Sequence, residues 1–210
     1  MRENLYKYPR TPHLPFSEGM TSDDKVLTNT NHFENKIIVV TEKMDGENTT
    51  IYKDYYHARS LDSKHKEYHS WLINFMNTFQ YLIPQDYHIC GEYLYATHSI
   101  FYNNLKTYFE VFSIWDKNKC LSWEETKEFC KKYNLELVPE LYIGIYDEKL
   151  IKKLANDVVS KGGEGIVIRL YDTFLYEDFQ NSIAKFVRKN HVQTDKHWSL
   201  QQISKNELKK

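Results

Sequence analysis

Ile37-Ile38-Val39-Val40 is an unbroken apolar run with a lysine before it and a threonine after it, the pattern of a strand covered on both faces. It predicts a strand over Lys36–Thr41. Shorter runs rich in β-branched and aromatic residues predict strands at Thr49–Lys53 and Tyr56–Ser60, with the turn KDYY between them. Trp71, Leu72, Phe75, Met76 and Phe79 recur at helical spacing, so Leu61–Leu82 reads as one helix that Pro84 ends. Tyr87–Tyr95 and Thr107–Trp115 again read as strands. Ser122 with Glu125 three residues on is a capping box that opens a helix to about Tyr133. A short strand near Leu141–Ile145 follows, then a helix capped by Asp147 that runs through Ser160 and is stopped by Gly162. Glu164–Tyr171 and Ser182–Arg188 are the last strands. Residues 1–35 are polar and irregular, and YPRTPHLPFSEG, with three prolines and a glycine, should be extended. The charged tail SKNELKK is expected to fray.

These strands arrive in runs and do not alternate with helices. The pattern predicts an α+β fold with largely antiparallel sheets and flanking helices, and a cleft between packed sheets that collects strand-end polar groups. At 210 residues the chain is read as one domain, large enough to bury a core without a disulfide or metal staple.

Composition adjusts this picture in three ways. Aromatic residues make up 15%, with 17 tyrosines, which suits a cleft that is half wet as well as a Tyr-rich core. The formal net charge of -1 means that any contact with a polyanion must come from a local patch. Cys90, Cys120 and Cys130 are odd in number and lack metal-site spacing, which fits a reducing compartment. MRENLYKYPR holds no apolar signal core and no stretch is long and apolar enough to cross a bilayer, so the expected location is the cytoplasm.

The chemistry gathers at strand ends. In TEKMDGEN, Lys43 follows the first strand, Asp45 adds a carboxylate and Gly46 lets chain or ligand approach closely. A lysine amine is a nucleophile only when unprotonated, and desolvation at a cleft floor lowers its pKa. The competing reading of K-x-D-G is a hairpin turn. Glu164 stands among three glycines, Gly162, Gly163 and Gly165, before the strand Ile166-Val167-Ile168. Lys185, Arg59 and Glu92 also sit near strand ends. Period two puts Lys185 and Val187 on one face and points Arg188 elsewhere. Two or three cations suit a polyphosphate, carboxylates suit a divalent metal and sugar hydroxyls, and aromatic rings suit a flat base. Together they describe a nucleotide site without a Walker-type glycine loop. His13, His98 and His191 are candidates for substrate contact, weighed against ordinary structural histidines.

Five segments in order, EKMDGEN, ARS, YFEVFSIWD, GEGIVIR and AKFVRKNH, resemble the motifs of the covalent nucleotidyltransferases, the ATP-dependent ligases and mRNA capping enzymes. The likeness runs from about Lys36 to Trp198. YPRTPHLPFS, GEYLYATHSI and HVQTDKHW, together with Asn48 after the motif glycine, are similar to the ATP-dependent RNA ligase family. The resemblance implies the ligase adenylation-domain fold, ATP with Mg2+ (or Mn2+) as cofactors, and RNA ends, with DNA-containing strands possible, as partners. It implies that Lys43 attacks the α-phosphate of ATP and forms a lysyl-AMP. Glu42 would lie beside the adenine, Arg59 would contact the sugar–phosphate, and Glu92 would hold a ribose hydroxyl. Phe109 would stack on the base, with Phe112 as the alternative in register. Glu164 would help to bind the metal, and Lys185 would neutralise the α-phosphate.

The AMP would then pass to a 5′-phosphate and be displaced by a 3′-hydroxyl. Motif five here reads Lys185-Phe186-Val187-Arg188 where ligases often show K-x-K. Little chain follows it, so the expectation is a near-minimal catalytic domain without an oligonucleotide-binding barrel. Two competing functions are a GTP-dependent capping guanylyltransferase and a non-catalytic RNA-end binder on the same fold.

Overall fold

The computed structural model describes residues 5–63, 66–191 and 203–210, so most of HVQTDKHW lies outside the described residues. Its strands form two sheets. The first contains β1 (Ile37–Glu42), β8 (Glu140–Ile145), β9 (Gly165–Leu170) and β11 (Ile183–Val187), in the order β11-β9-β1-β8 and antiparallel throughout. The second contains β2 (Glu47–Ile51), β3 (Tyr56–Ala58), β4 (Tyr87–Tyr93), β5 (Phe109–Asp116), β6 (Lys119–Cys120) and β10 (Phe174–Leu175), in the order β10-β6-β5-β4-β2-β3. The short β7 (Glu136–Leu137) pairs parallel with β5. The α+β expectation and the antiparallel sheets hold.

Apolar periodicity explains which faces are covered. Helix α3 (Glu148–Ser160) buries Ile151, Ala155 and Val158, one stripe at helical spacing, in a core with Ile38, Val40, Ile166 and Ile168 of the first sheet. Asp147 caps it, its carboxylate accepting the N–H groups of Lys149 and Leu150. Helix α2 (Trp123–Tyr133) starts on the predicted capping box, with Ser122 Oγ accepting from Glu125 N and Glu125 Oε2 accepting from Ser122 N. Beneath the second sheet, Ile51, Ile89, Phe109, Val111 and Ile114 pack with Leu72 and Met76 of α1 (Ser70–Met76). Cys90, Cys120 and Cys130 are free and buried. No helix among the described residues is long and apolar enough to cross a membrane.

Two expectations need correction and a third needs an addition. The helix over Leu61–Leu82 is in fact the seven residues of α1 between short 3-10 turns at Glu67–His69 and Gln80–Leu82. Polar residues at its ends bond their own backbone: Ser70 Oγ donates to Glu67 O and Thr78 Oγ1 to Phe75 O, which favours turns over helix propagation. The tail does not fray over residues 203–210. Lys205 and Leu208 make bridges to Ala96 and Leu105, and Asn206 is 1% exposed. The N-terminal segment is extended as expected, but it is also docked: Leu14 N donates to Lys185 O and Lys185 N to Pro12 O, so it covers the outer edge of β11.

Candidate functional site

TEKMDGEN is the place where the chain leaves one sheet for the other. β1 belongs to the first sheet and β2 to the second, so Lys43–Gly46 crosses the cleft and is not a hairpin turn. Lys43 N donates to Gly165 O at 2.9 Å, which ties the crossing to the mouth of β9. Gly46 is needed for close approach: a Cβ there would lie 2.6 Å from Tyr93 O, and Gly46 N donates to Glu92 Oε1 at 3.1 Å.

A cavity of about 460 Å³ opens at this crossing, and Glu42, Lys43, Arg59, Glu92, Phe112 and Lys185 all line it. At its floor Lys43 Nζ donates to Glu164 Oε2 at 2.8 Å, and Glu164 is 4% exposed. Five of the residues selected from sequence, together with the fallback Phe112, therefore share one cleft, and Glu164 touches it through Lys43. Phe109 does not reach it. Its ring is fully buried on the opposite face of β5, over Gly91, where a Cβ would come within 2.5 Å of the ring.

Three residues apart on a strand, Phe109 and Phe112 face opposite ways, and a β-bulge follows between them and Ile114. Cys90 pairs with Ser113 but Gly91 pairs with Val111, so Phe112 is the extra residue. Apolar side chains face the lower core at 109 and 111, and then at 114, a shift in phase. Strict alternation does not anticipate that slip, which brings Ile114 to the core face in place of Ser113, while Phe112 lines the cleft, edge-on to Tyr8 at 5.1 Å.

Around Lys43 the nearby charges are carboxylates. Burial alone would pull the Lys43 amine down, but Glu164, Glu92 and Asp45 outweigh it and hold the pKa above the ordinary lysine value. The depressed amine expected from desolvation is thus corrected: these carboxylates favour the ammonium form of Lys43. Burial pushes the Glu92 carboxyl up to about 8, with Lys43 opposing and Glu164 assisting the rise. Burial likewise raises Glu42. Lys185 is lowered, by burial first and by the Lys43 cation second. Asp24 lies 3.9 Å from Lys185 Nζ.

Asp45 and His191 carry more here than sequence reasoning assigned to either. Asp45 Oδ2 accepts the N–H groups of Ser99 and Ile100 at 2.7 and 2.8 Å, and Asp45 N donates to Tyr102 OH. Loop 94–106 therefore anchors the acid of K-x-D-G, and Asn206 anchors that loop: its side chain accepts from Thr97 Oγ1 and Tyr102 N and donates to Leu94 O. His191 Nε2 stands 3.3 Å from both Asp45 Oδ1 and Glu164 Oε1. Of the other histidines singled out, His98 lines the cavity and His13 is buried with Nδ1 against Ser17 Oγ. Arg188 follows the last residue of β11 and donates its backbone N–H to Glu164 O.

The family model described as RNA ligase matches residues 36–187. No curated protein matches the chain. Among solved structures, an archaeal ATP-dependent RNA ligase (form 1) is 15% identical with a TM-score of 0.59, covering 88% of this chain and 48% of that one. A variant of Naegleria gruberi RNA ligase with ATP and Mn is 20% identical, TM-score 0.56, covering 89% and 59%. A putative ATP-dependent DNA ligase from Aquifex aeolicus is 24% identical, TM-score 0.58, covering 88% and 50%. The likeness extends over both sheets, and the chain spans between 48% and 59% of the length of these three structures.

Proposed function

Since the chain belongs to the RNA ligase family, we propose that it is an ATP-dependent RNA ligase, joining 3′-hydroxyl and 5′-phosphate ends through a lysyl-AMP on Lys43. The observation that carries this reading is the placement of Lys43 Nζ at the cleft floor, 2.8 Å from Glu164 Oε2, with Arg59 and Lys185 on the same cavity wall. In the first step the Nζ–phosphorus bond forms while the bond from the α-phosphorus to the bridging oxygen breaks. One ammonium proton passes to Glu164 Oε2 before the attack and frees the lone pair; the second leaves Nζ as the Nζ–phosphorus bond forms and goes to the pyrophosphate, which departs with the electron pair. Charge neutralisation and alignment dominate such a displacement. Arg59 and Lys185 supply the cations, Phe112 a face for the adenine, Glu42 a neighbour to that base and Glu92 an acceptor for a ribose hydroxyl.

The donor set also fits a divalent cation, since two carboxylates more than nine-tenths buried, Asp45 and Glu164, face one another across His191. Glu164 would hold the ion, Mg2+ or Mn2+, which offsets the charge of these carboxylates and so eases loss of the lysine proton. ATP and Mn accompany the Naegleria relative, which supports the same requirement here. The AMP then passes to a 5′-phosphate, and a 3′-hydroxyl displaces it.

Label transfer decides the reading. Protein incubated with α-phosphate-labelled ATP and Mg2+ should acquire covalent label, and Lys43→Ala should abolish it while keeping its circular dichroism. GTP and NAD run in parallel should give none. Label from GTP alone favours a capping reaction, no label from any donor favours a non-catalytic binder, and label retained in Lys43→Ala removes the nucleophile.

A further inference from the structure

The floor of the cleft holds three side chains whose unused atoms face one point. Asp45 commits Oδ2 to the N–H groups of Ser99 and Ile100, leaving Oδ1 turned to His191. Glu164 commits Oε2 to Lys43, leaving Oε1 turned to the same ring. His191 Nε2 lies 3.3 Å from each oxygen, and one ligand atom from each of the three residues lies within 4.8 Å of the others. The His191 Nδ1 atom is buried without a hydrogen-bond partner, so among the described residues the two carboxylates are what orients the imidazole.

Bond lengths test whether the spacing suits a metal. Ligands about 2.1 Å from an ion stand roughly 3.0 Å apart at the edge of an octahedron and roughly 3.4 Å apart at the edge of a tetrahedron. The two edges to His191, at 3.3 Å, lie in that interval, and the carboxylate–carboxylate edge is within 4.8 Å. Two carboxylates bring two negative charges to match a divalent ion, and the neutral imidazole adds a nitrogen donor.

We infer that His191 is a direct nitrogen ligand, with Asp45 Oδ1 and Glu164 Oε1, of a divalent-cation site that fills before any nucleotide binds. The ring changes which ion the site prefers. Mg2+ favours oxygen and keeps its waters, whereas Mn2+, Co2+ and Zn2+ accept imidazole. The site therefore selects a transition ion over Mg2+ in the nucleotide-free chain. Lys43 lies on the other oxygen of Glu164, so the ion and the amine share one carboxylate without displacing each other. This goes beyond the ligase reading, because binding to the free chain needs neither ATP nor RNA.

The test uses Mn2+ and the full chain without nucleotide. Titration followed by the electron paramagnetic resonance of free Mn2+ should give one bound ion, at least about tenfold tighter than Mg2+ measured by competition. Pulsed resonance of that ion should carry the hyperfine signature of an imidazole nitrogen. His191→Gln should erase the nitrogen signature and weaken Mn2+ about tenfold or more while changing Mg2+ less than about threefold. His191→Asn serves if the first variant unfolds. Absence of nitrogen coupling in the wild-type spectrum overturns the inference, as does unchanged Mn2+ affinity in a folded His191 variant or no Mn2+ binding by the free chain. Those outcomes would show an imidazole that only bridges two acids. Lys43→Ala should retain the nitrogen signature, so loss of adenylation and loss of this site are separate results.

Discussion

Replacing Gly165 with alanine tests how the Glu164 turn is built. A Cβ on Gly165 would stand 1.9 Å from Phe186 O and 2.9 Å from Phe186 C, backbone atoms of the paired strand that cannot swing aside. Real Cβ atoms keep at least 3.0 Å from such neighbours, so β9 and β11 must part by about 1 Å at the register Gly165–Val187. That shift falls beside the bond from Lys43 N to Gly165 O and next to Glu164 itself. Overpacking of this kind costs about 1–3 kcal/mol, and a chain of this size loses about 2–4 °C of melting temperature per kcal/mol, so a drop of roughly 2–12 °C is expected.

Gly162 is the internal control. Its φ is +90°, yet nothing lies within 4 Å of where a methyl would stand, so Gly162→Ala carries only backbone strain of about 1 kcal/mol. The assay is thermal unfolding by circular dichroism alongside initial rates of label transfer from ATP. Gly165→Ala should lose more stability than Gly162→Ala and should lose nearly all adenylation, because Lys43 and Glu164 no longer meet. If Gly165→Ala melts within about 1 °C of wild type and labels normally, the contact argument for this turn is wrong.

Two further outcomes separate site from scaffold. Phe112→Ala should raise the KM for ATP with little change in melting temperature, while Phe109→Ala should cost about 3–5 kcal/mol of stability, read by urea titration. Burial, with Glu136 and Glu42 adding to it, pushes Glu110 up to about 8, so the folded chain binds a proton there that the unfolded chain releases above its ordinary value of 4.5. Stability should therefore fall as pH rises from about 4.5 to 8, and Glu110→Gln should flatten that decline in a series of melting curves.

Much of the architecture was legible because local and long-range signals agreed. Ile37–Val40 is apolar on every position and lies between two neighbours in its sheet, and Ser122 and Asp147 cap their helices through the side-chain bonds their positions imply. The catalytic lysine candidate and its neighbours were found because their residue types recur in order along the chain. What escaped depended on contacts far apart in sequence. The bulge at Phe112 exists only against Cys90 and Gly91, so a single-strand period cannot locate it. Asp45 gains its role from Ser99, Ile100 and His191, and SKNELKK looks solvated until Asn206 is seen bonded to loop 94–106. Glu164 reverses the expected fate of the Lys43 proton from 121 residues away.

The seating of Asn206 has a consequence for how the protein can be silenced. Segment 203–210 belongs to neither sheet, yet it grips the loop that grips Asp45. Prying this short strap loose, at the cost of the buried bonds of Asn206 and the packing of Leu208, would slacken the reactive turn while the strand pairing of both sheets stays in place.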